Sequence, residues 1–477
     1  MSSRDLLALL PLLLIAASAV VVMLGIAFRR SPALAAGLTL AGLTAAFVSI
    51  WAAVPVVPRQ VTPLLLVDRY ALFYIGLIVA SAAVAVVLSH QYFEEHEGQG
   101  HKGQNEELYL LLLLATLGCA VLVASSHFAS FLLGLEVLSV SLYGMLAYLT
   151  NRRVALEAGI KYLILASASA AFLLFGMALI YADTGTMEFS RLRDLSLSGS
   201  GFTLLAGIAL TITGIGFKLG VVPFHLWTPD VYQGGPPPVT AFVATTSKSA
   251  MVALLLRYVY LSGALQYRAV FLVFAIIAVL SMCAGNFLAL RQTNVKRILA
   301  YSSIAHFGYI LVAFLVSSTM AIEAVAFYLV AYTVTMLAAF GIVTILSRSG
   351  RDVEDLKDYR GLFLRRPVIA AAFTAALLSL AGIPATMGFV GKFYILAAGA
   401  NAQAWPLIVI LVVTSVAGLF YYLRIVAALY ADPAEHAAPA PAVSRSAALV
   451  LAVLALLLIW FGVYPTPLLN LIRTFTA

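Results

Sequence analysis

Apolar stretches of about twenty residues recur from one end of this chain to the other, parted by short polar segments. Inside them, polar and apolar residues do not alternate at the two-residue period of a barrel strand, which would also be shorter. Hydrocarbon offers the backbone no water to bond, so stretches of this length fold as helices that satisfy their own amides. The pattern predicts about fourteen transmembrane helices, starting near Leu6, Pro32, Tyr70, Glu107, His127, Val154, Phe202, Val239, Arg268, Val295, Met320, Pro367, Trp405 and Ala447. The first stretch, Leu6 to Phe28, is followed by Arg29 and Arg30 with no small-residue cleavage signature, and reads as a retained helix. The longest polar segments, 94–107, 183–201, 350–366 and 432–445, are connectors in length, so catalysis on a soluble substrate has no domain to occupy.

Composition agrees: 63% of the 477 residues are hydrophobic and 10% charged, and the mean hydropathy is +1.04. An integral membrane protein is the only class with such values. About half of the 28 Lys and Arg fall in loops that follow odd-numbered helices, among them Arg152-Arg153, Lys296-Arg297 and the segment 348–366. A positive-inside bias of that kind puts both termini outside the cytoplasm. It also accounts for the net charge of +8 without a nucleic-acid partner. Cys119 and Cys283 stand singly in apolar helices and read as small buried hydrophobes, with neither a disulfide framework nor a metal site implied.

The chain carries an internal repeat. Glu157-Ala158 followed by Tyr162-Leu163 returns as Glu323-Ala324 followed by Tyr328-Leu329 at one constant offset. The helix after each copy is interrupted in mid-membrane, by Gly220 to Pro223 in the seventh and by Gly382-Ile383-Pro384 in the twelfth. Proline removes a donor and clashes with the preceding turn, so each helix must kink or unwind there and free carbonyls. Broken helices at matching places of two repeats point to a transport site, and five helices between copies make the repeats inverted. The organisation expected is an N-terminal three-helix segment over 1–105, a first repeat over 106–265, a second over 266–431, and a last loop and helix over 432–477.

Four ionisable residues lie deep in apolar stretches: Glu136, Lys218, Lys248 and Lys392. A charge at the bilayer centre costs roughly 2.5–3.5 kcal/mol on insertion scales, so such residues face a bundle interior or a wet cavity and mark ion paths. Lys218 stands five residues before Pro223, and Glu136 in the fifth helix is its natural partner. Burial disfavours the ammonium form and a nearby carboxylate favours it, so the position of the carboxylate decides whether the lysine keeps its proton. Lys248 in the eighth helix and Lys392, eight residues after Pro384, have no comparable acidic partner and suit a proton relay. His306 and His225 could extend it, because imidazole carries protons near neutral pH. Lys161 and Glu157, one turn apart, read as a local ion pair. Tyr421, Tyr422 and Arg424 read as interfacial anchors, and His90, His96 and His101 are spaced too loosely for a metal.

The runs GFKLGVVPFHLWTPDVYQGGPPPVTAFVATTSKSA from Gly216 and LGLEVLSVSLYG around Glu136 resemble the antiporter-like membrane subunits of respiratory complex I. The resemblance extends over essentially the whole chain, through RQTNVKRILAYSSIAHFGYILVA and SLAGIPATMGFVGKFYILAAG. It implies a fourteen-helix subunit with two inverted five-helix repeats that moves protons while other subunits oxidise NADH and reduce quinone. Matched position by position, Glu136 and Lys218 form the expected pair, Lys248 the connection and Lys392 the terminal site. NADH, FMN, iron–sulfur clusters and quinone would all belong to partner subunits, since this chain has no nucleotide-binding glycine motif and too few cysteines for a cluster. The partners implied are the M-type and K-type membrane subunits, within a bacterial cytoplasmic (inner) membrane. Gly235 departs from the alanine more usual in the family and lies in a loop. The alternative is a subunit of a multi-subunit cation/proton antiporter, driven by ion gradients instead.

Overall fold

The computed structural model describes residues 2–95, 105–194, 201–316, 318–347, 351–433 and 443–476. Thirteen helices in it are long and apolar enough to cross a membrane. They are Ser3–Phe28, Pro32–Val56, Arg69–Glu94, Glu106–Ala124, Phe128–Leu146, Arg153–Thr184, Phe202–Leu219, Pro237–Ser262, Arg268–Leu290, Val295–Val316, Thr319–Leu346, Trp405–Tyr430 and Arg445–Val463. The remaining predicted span, the twelfth, is present as two half-helices, Pro367–Ala381 and Met387–Asn401, each too short to cross alone. Every predicted start falls within about three residues of a helix start, because apolar length fixes a span far more sharply than propensity does. Two short strands, Arg59–Thr62 and Leu65–Val67, pair antiparallel in the connector before the third span.

Burial runs from the rim to the centre. The tenth span is buried along its whole window, and the eighth and eleventh nearly so, whereas the thirteenth and fourteenth are mostly uncovered. Exposed positions are apolar, among them Leu133, Ile164, Phe175, Val416 and Leu449, as lipid requires. Polar side chains collect instead in the covered centre: Lys248, Ser302, Ser303, His306 and Thr333 are all buried. The surface thus departs from the polar-out rule of water-soluble folds, while the largely apolar interior holds a minority of buried polar groups.

Glycines set the spacing of the helices that frame this centre. A Cβ at Gly118 would stand 2.7 Å from the backbone nitrogen of Leu138 and 2.8 Å from the carbonyl oxygen of Gly134, so the fourth and fifth spans touch backbone to backbone. Gly176 meets Gly207 across the sixth and seventh spans, with 2.7 Å to its carbonyl oxygen, and Gly285 meets Ala305 across the ninth and tenth at 2.6 Å. Lipid tails supply no hydrophobic drive for helices to associate, so such close contacts supply packing energy instead. The Gly118 contact also holds the fifth span, and with it Glu136 and Ser139, at a fixed depth. Replacing Gly118 with Val is expected to cost about 1–3 kcal/mol through overpacking. The check is the thermal midpoint of the purified protein in detergent, with Gly37→Ala, where no atom lies within 4 Å, leaving it unchanged.

Candidate functional site

Both interrupted helices close in the same way. The helix of the seventh span ends at Leu219 and Gly220 follows at φ +69°; the first half of the twelfth ends at Ala381 and Gly382 follows at φ +83°. These left-handed turns are open to glycine and strained for other residues. The Val221 amide reaches back to the Gly216 carbonyl at 3.1 Å, and the Ile383 amide to that of Leu378 at 3.0 Å. After the first break the chain resumes as the short helix Trp227–Gly234. Lys218 is therefore not in mid-helix but in the last turn of the helix Phe202–Leu219. The eighth span contains a third irregularity, a π-helical turn over Val243–Ser247 that ends immediately before Lys248 and has no sequence signal.

An ammonium stands at each break. Lys392 reaches back across the twelfth-span gap and donates to the carbonyls of Leu380 and Ala381, both at 2.9 Å, and to Ser415 Oγ at 2.9 Å. Lys248 donates to Ser303 Oγ at 2.9 Å and faces the rings of Phe307, Tyr232 and Trp227 at 4.8, 5.5 and 5.8 Å. Its Nζ lies 3.3 Å from where a side chain on Gly220 would begin. Lys218 donates to Ser139 Oγ at 2.8 Å and to Tyr162 OH at 3.1 Å. None of the three has a carboxylate in ion-pair contact among the described residues. The contacts from Lys218 to Lys248 run through aromatic rings, Tyr162 against Trp227 at 5.0 Å.

The expected direct contact between Glu136 and Lys218 is absent. Glu136 is half-buried on the fifth span, one turn before Ser139, and its Oε1 is buried without a partner. Ser139 and Tyr162 take the ammonium, and no ion pair joins it to the carboxylate. Its neighbours Leu133 and Val140 are each 60% exposed, which places Glu136 toward the flank of the bundle.

Between Lys248 and Lys392 the structure holds a chain of buried polar groups. Ser303 accepts from Tyr332 OH at 2.7 Å, and the Tyr332 ring packs on His306 at 5.6 Å. His306 bonds Tyr328 OH through Nδ1 at 2.7 Å and Tyr422 OH through Nε2 at 3.1 Å, and Tyr422 also bonds Ser302. Tyr421, packed on Tyr422, donates to Asn286 Oδ1 at 3.1 Å; Asn286 donates to Tyr309 OH at 2.9 Å, and the Tyr309 ring lies under the Lys392 ammonium at 5.3 Å. Tyr421 and Tyr422 are thus wholly buried and are not the interfacial anchors expected from their position near a helix end. Arg424 instead caps the ninth span through the carbonyls of Leu290 and Gln292. His225 is half-buried at the first break, its Nδ1 without a partner, and joins none of these groups. Sequence reasoning missed Ser303, Asn286 and the tyrosines. The available signal was the density of hydroxyl residues in a span, 295–316, with no lipid-facing side.

A second polar cluster closes one end of the bundle. Asp352 accepts from Lys296 at 2.9 Å, from Tyr92 at 2.8 Å and from Arg152 at 3.0 Å, and the Asp352 and Lys296 side chains are fully buried. Glu354 bonds Asn294 and Gln233, while Arg297 and Lys161 share Asp230 at 2.8 and 2.9 Å. Lys161 also makes the expected pair with Glu157 at 2.7 Å. Burial works against the Asp352 carboxylate, but Lys296 and Arg152 overcome it and hold its pKa at about 2. Lys296, counted from sequence among the loop cations, thus belongs to a buried junction, and Asp352 was not singled out. Glu106, at the start of the fourth span, was also missed: it is fully buried with both oxygens unpartnered.

No group of three metal-ligating side chains occurs among the described residues. His90 pairs with Glu94 at 3.2 Å, whereas His96 and His101 lie outside the described residues. Cys119 and Cys283 are both free, the first buried and the second half-buried.

A sequence model of the family described as "NADH:quinone oxidoreductase/Mrp antiporter, TM" matches residues 125–418, which hold both breaks and Glu136, Lys218, Lys248 and Lys392. The broken-helix bundle is thus of the antiporter-like membrane class. Two curated relatives are both named NADH-quinone oxidoreductase subunit N. One, from Ectopseudomonas mendocina (strain ymp), is 48% identical over 99% of this chain and 97% of its own. The other, from Nitrosospira multiformis, is 52% identical over 98% and 96%. The chain belongs to the NADH-quinone oxidoreductase subunit N family. A chain of respiratory complex I from Thermus thermophilus superposes with a TM-score of 0.82 at 34% identity, covering 96% of this chain and 98% of that one. A chain of the Mrp complex from Dietzia sp. DQ12-45-1b shares the fold, with a TM-score of 0.86 at 21% identity, covering 100% and 97%.

The Asp352 junction generates a test with a definite sign. Because the folded state holds this carboxyl below its ordinary value of 3.8, its contribution, roughly 2 kcal/mol, is complete above about pH 4 and is lost as pH falls toward about 2. Asp352→Asn leaves the buried Lys296 with only the more distant Glu354 carboxylate, at 3.8 Å, a loss of up to about 3–5 kcal/mol. Thermal midpoints across pH should be lower for this variant near neutrality and flatter in acid, and Lys296→Met added to it should recover part of the loss.

Proposed function

We propose that this subunit translocates protons through Glu136, Lys218, Lys248 and Lys392, with His306 and its hydroxyl neighbours between the last two lysines, driven by quinone reduction elsewhere in the complex. The observation that carries the reading is the set of three buried ammoniums, none in contact with a carboxylate among the described residues and each donating to neutral oxygens. A permanently charged lysine in such a place is costly, whereas one that gains and loses a proton is a carrier. The lack of an ion pair between Glu136 and Lys218 corresponds to the separated state of a pair whose approach would favour the charged form of Lys218. Movement of one charge against 100 mV costs about 2.3 kcal/mol, a size within reach of a buried pair rearrangement. His225, outside the chain of contacts, would act only through water at the first break.

In this reading the residues 106–265 and 266–431 form two inverted repeats, each built on one break, and both termini face away from the cytoplasm of a bacterial inner membrane. NADH, FMN, iron–sulfur clusters and quinone are handled by partner subunits, and the M-type and K-type membrane subunits flank this one. Identity with relatives named NADH-quinone oxidoreductase subunit N over nearly full length favours this over a cation/proton antiporter, for which the shared family model and the fold speak.

The test is NADH-driven proton uptake into inside-out membrane vesicles at equal levels of assembled complex. Lys218→Ala should lower uptake and quinone reduction together. Lys248→Arg and Lys392→Arg keep the charge but hold the proton permanently, so each should lose at least about tenfold in uptake, a barrier higher by about 1.4 kcal/mol or more. Unchanged uptake in the arginine variants would mean that these lysines serve packing.

A further inference from the structure

At the end of the bundle opposite the Asp352 junction, a cavity of about 480 Å³ opens between the start of the third span, the end of the eighth and tenth, and the start of the eleventh. Its walls are largely apolar, with Tyr260, Phe314 and Ile322 among them, yet Arg257 and Arg69 also line it. Arg257 is only 5% exposed, and its Nε has no acceptor among the described residues. One terminal nitrogen donates to Asp68 Oδ1 at 2.6 Å, and that oxygen also accepts from the Ala71 amide at 2.7 Å to cap the third span. Arg69 is exposed and forms no ion pair among the described residues. Two guanidiniums thus line the cavity beside a single carboxylate, one oxygen of which is already engaged.

Depth adds a second, independent argument. The third and eleventh spans begin at this cavity and the eighth and tenth end at it, so their helix dipoles oppose one another and the charge of the site is set by its side chains. The helix Thr466–Thr476 runs alongside, with Leu468, Leu469 and Ile472 buried and Arg473 paired to Glu323 at 3.0 Å, the division expected of an interfacial helix. The cavity therefore sits where hydrocarbon gives way to headgroups, and Tyr260 at its rim is largely exposed. A pocket of this size, apolar with a few convergent polar groups, is of ligand-binding proportions. Guanidinium is the side chain best suited to a phosphate, which it meets with parallel hydrogen bonds.

We propose that this cavity binds one anionic phospholipid, its phosphodiester on Arg257 and Arg69 and an acyl chain along Phe314 and Ile322. The lipid completes the third, eighth, tenth and eleventh spans on the face away from the charged loops. Nothing in this depends on the proton relay.

The experiment uses the complete complex, purified in detergent and delipidated, then exposed to dioleoyl phosphatidylglycerol, to dioleoyl phosphatidylcholine or to excess inorganic phosphate, with tightly held lipid counted by native mass spectrometry. The native complex should retain one more phosphatidylglycerol than Arg257→Gln or Arg69→Gln, and inorganic phosphate should not displace it. Ile322→Trp, which fills the cavity without touching charge, should also lose it. Arg69 is exposed, so its variant reports even where the Arg257 change prevents assembly. Equal retention in Arg69→Gln and Ile322→Trp, equal retention of phosphatidylcholine, or displacement by inorganic phosphate would overturn the proposal.

Discussion

The structure depends on one exchange: at the twelfth-span break, carbonyls released by interrupting a helix in the membrane are given to the Lys392 ammonium, which has no carboxylate in contact among the described residues. An open helix end in hydrocarbon is tolerated only where something else bonds its orphan carbonyls. At the twelfth-span break that something is Lys392, whose three hydrogen bonds include two to the carbonyls just before Gly382. Neither part would be stable alone, because the break needs a donor and the lysine needs acceptors. The seventh-span break solves the same problem differently. Its free end is closed by backbone contacts and by Trp227 Nε1 on the Phe217 carbonyl at 2.9 Å, while Lys248 comes from the next span to lie against Gly220.

Two polar systems of opposite character share the bundle. The Asp352 junction is made of opposite charges in direct contact, ties the third, sixth and tenth spans to the loop after the eleventh, and has little freedom to change. The central chain from Lys248 to Lys392 is made of hydroxyl, imidazole and amide groups that can donate or accept by rotation or tautomer change. Fixed charge thus frames the end of the bundle, and reorientable groups fill its middle. Close glycine contacts around the fourth to seventh and ninth to tenth spans keep the frame rigid enough for hydrogen bonds in the middle to be maintained.

The spans, the two breaks and the buried lysines were legible in the sequence because each is a rare event against a uniform background. A lysine in twenty apolar residues, or a Gly–Pro pair in mid-span, has few structural meanings. Partners were not legible, because a side chain's hydrogen bonds depend on which helices become neighbours. Lys218 was read as an ion-pair partner of Glu136 and bonds Ser139 and Tyr162 instead. Tyr421 and Tyr422 looked like anchors since they lie near a helix end, yet the tenth span packs over them. Asp352 sits in a charge-rich loop whose composition matches a solvated one, and only tertiary contact with Lys296 and Arg152 buries it. The π turn before Lys248 has no compositional mark at all.

The position of Glu136 decides how such a relay could be driven. Two unit charges 4 Å apart interact by about 4 kcal/mol at an effective dielectric constant of 20, and doubling the distance leaves about 2 kcal/mol. A displacement of about one helical turn therefore changes the energy by roughly the cost of one charge crossing 100 mV, about 2.3 kcal/mol. Glu136 makes no ion pair with Lys218 and lies on a flank whose neighbouring side chains, Leu133 and Val140, are exposed. A carboxylate there feels whatever packs against that flank, whereas Lys218 does not. In the proposed mechanism the driving event thus needs no large movement of the bundle: a change at the exposed side of the fifth span is enough to alter the charge balance at Lys218, and the hydroxyl chain beyond Lys248 can pass the consequence on.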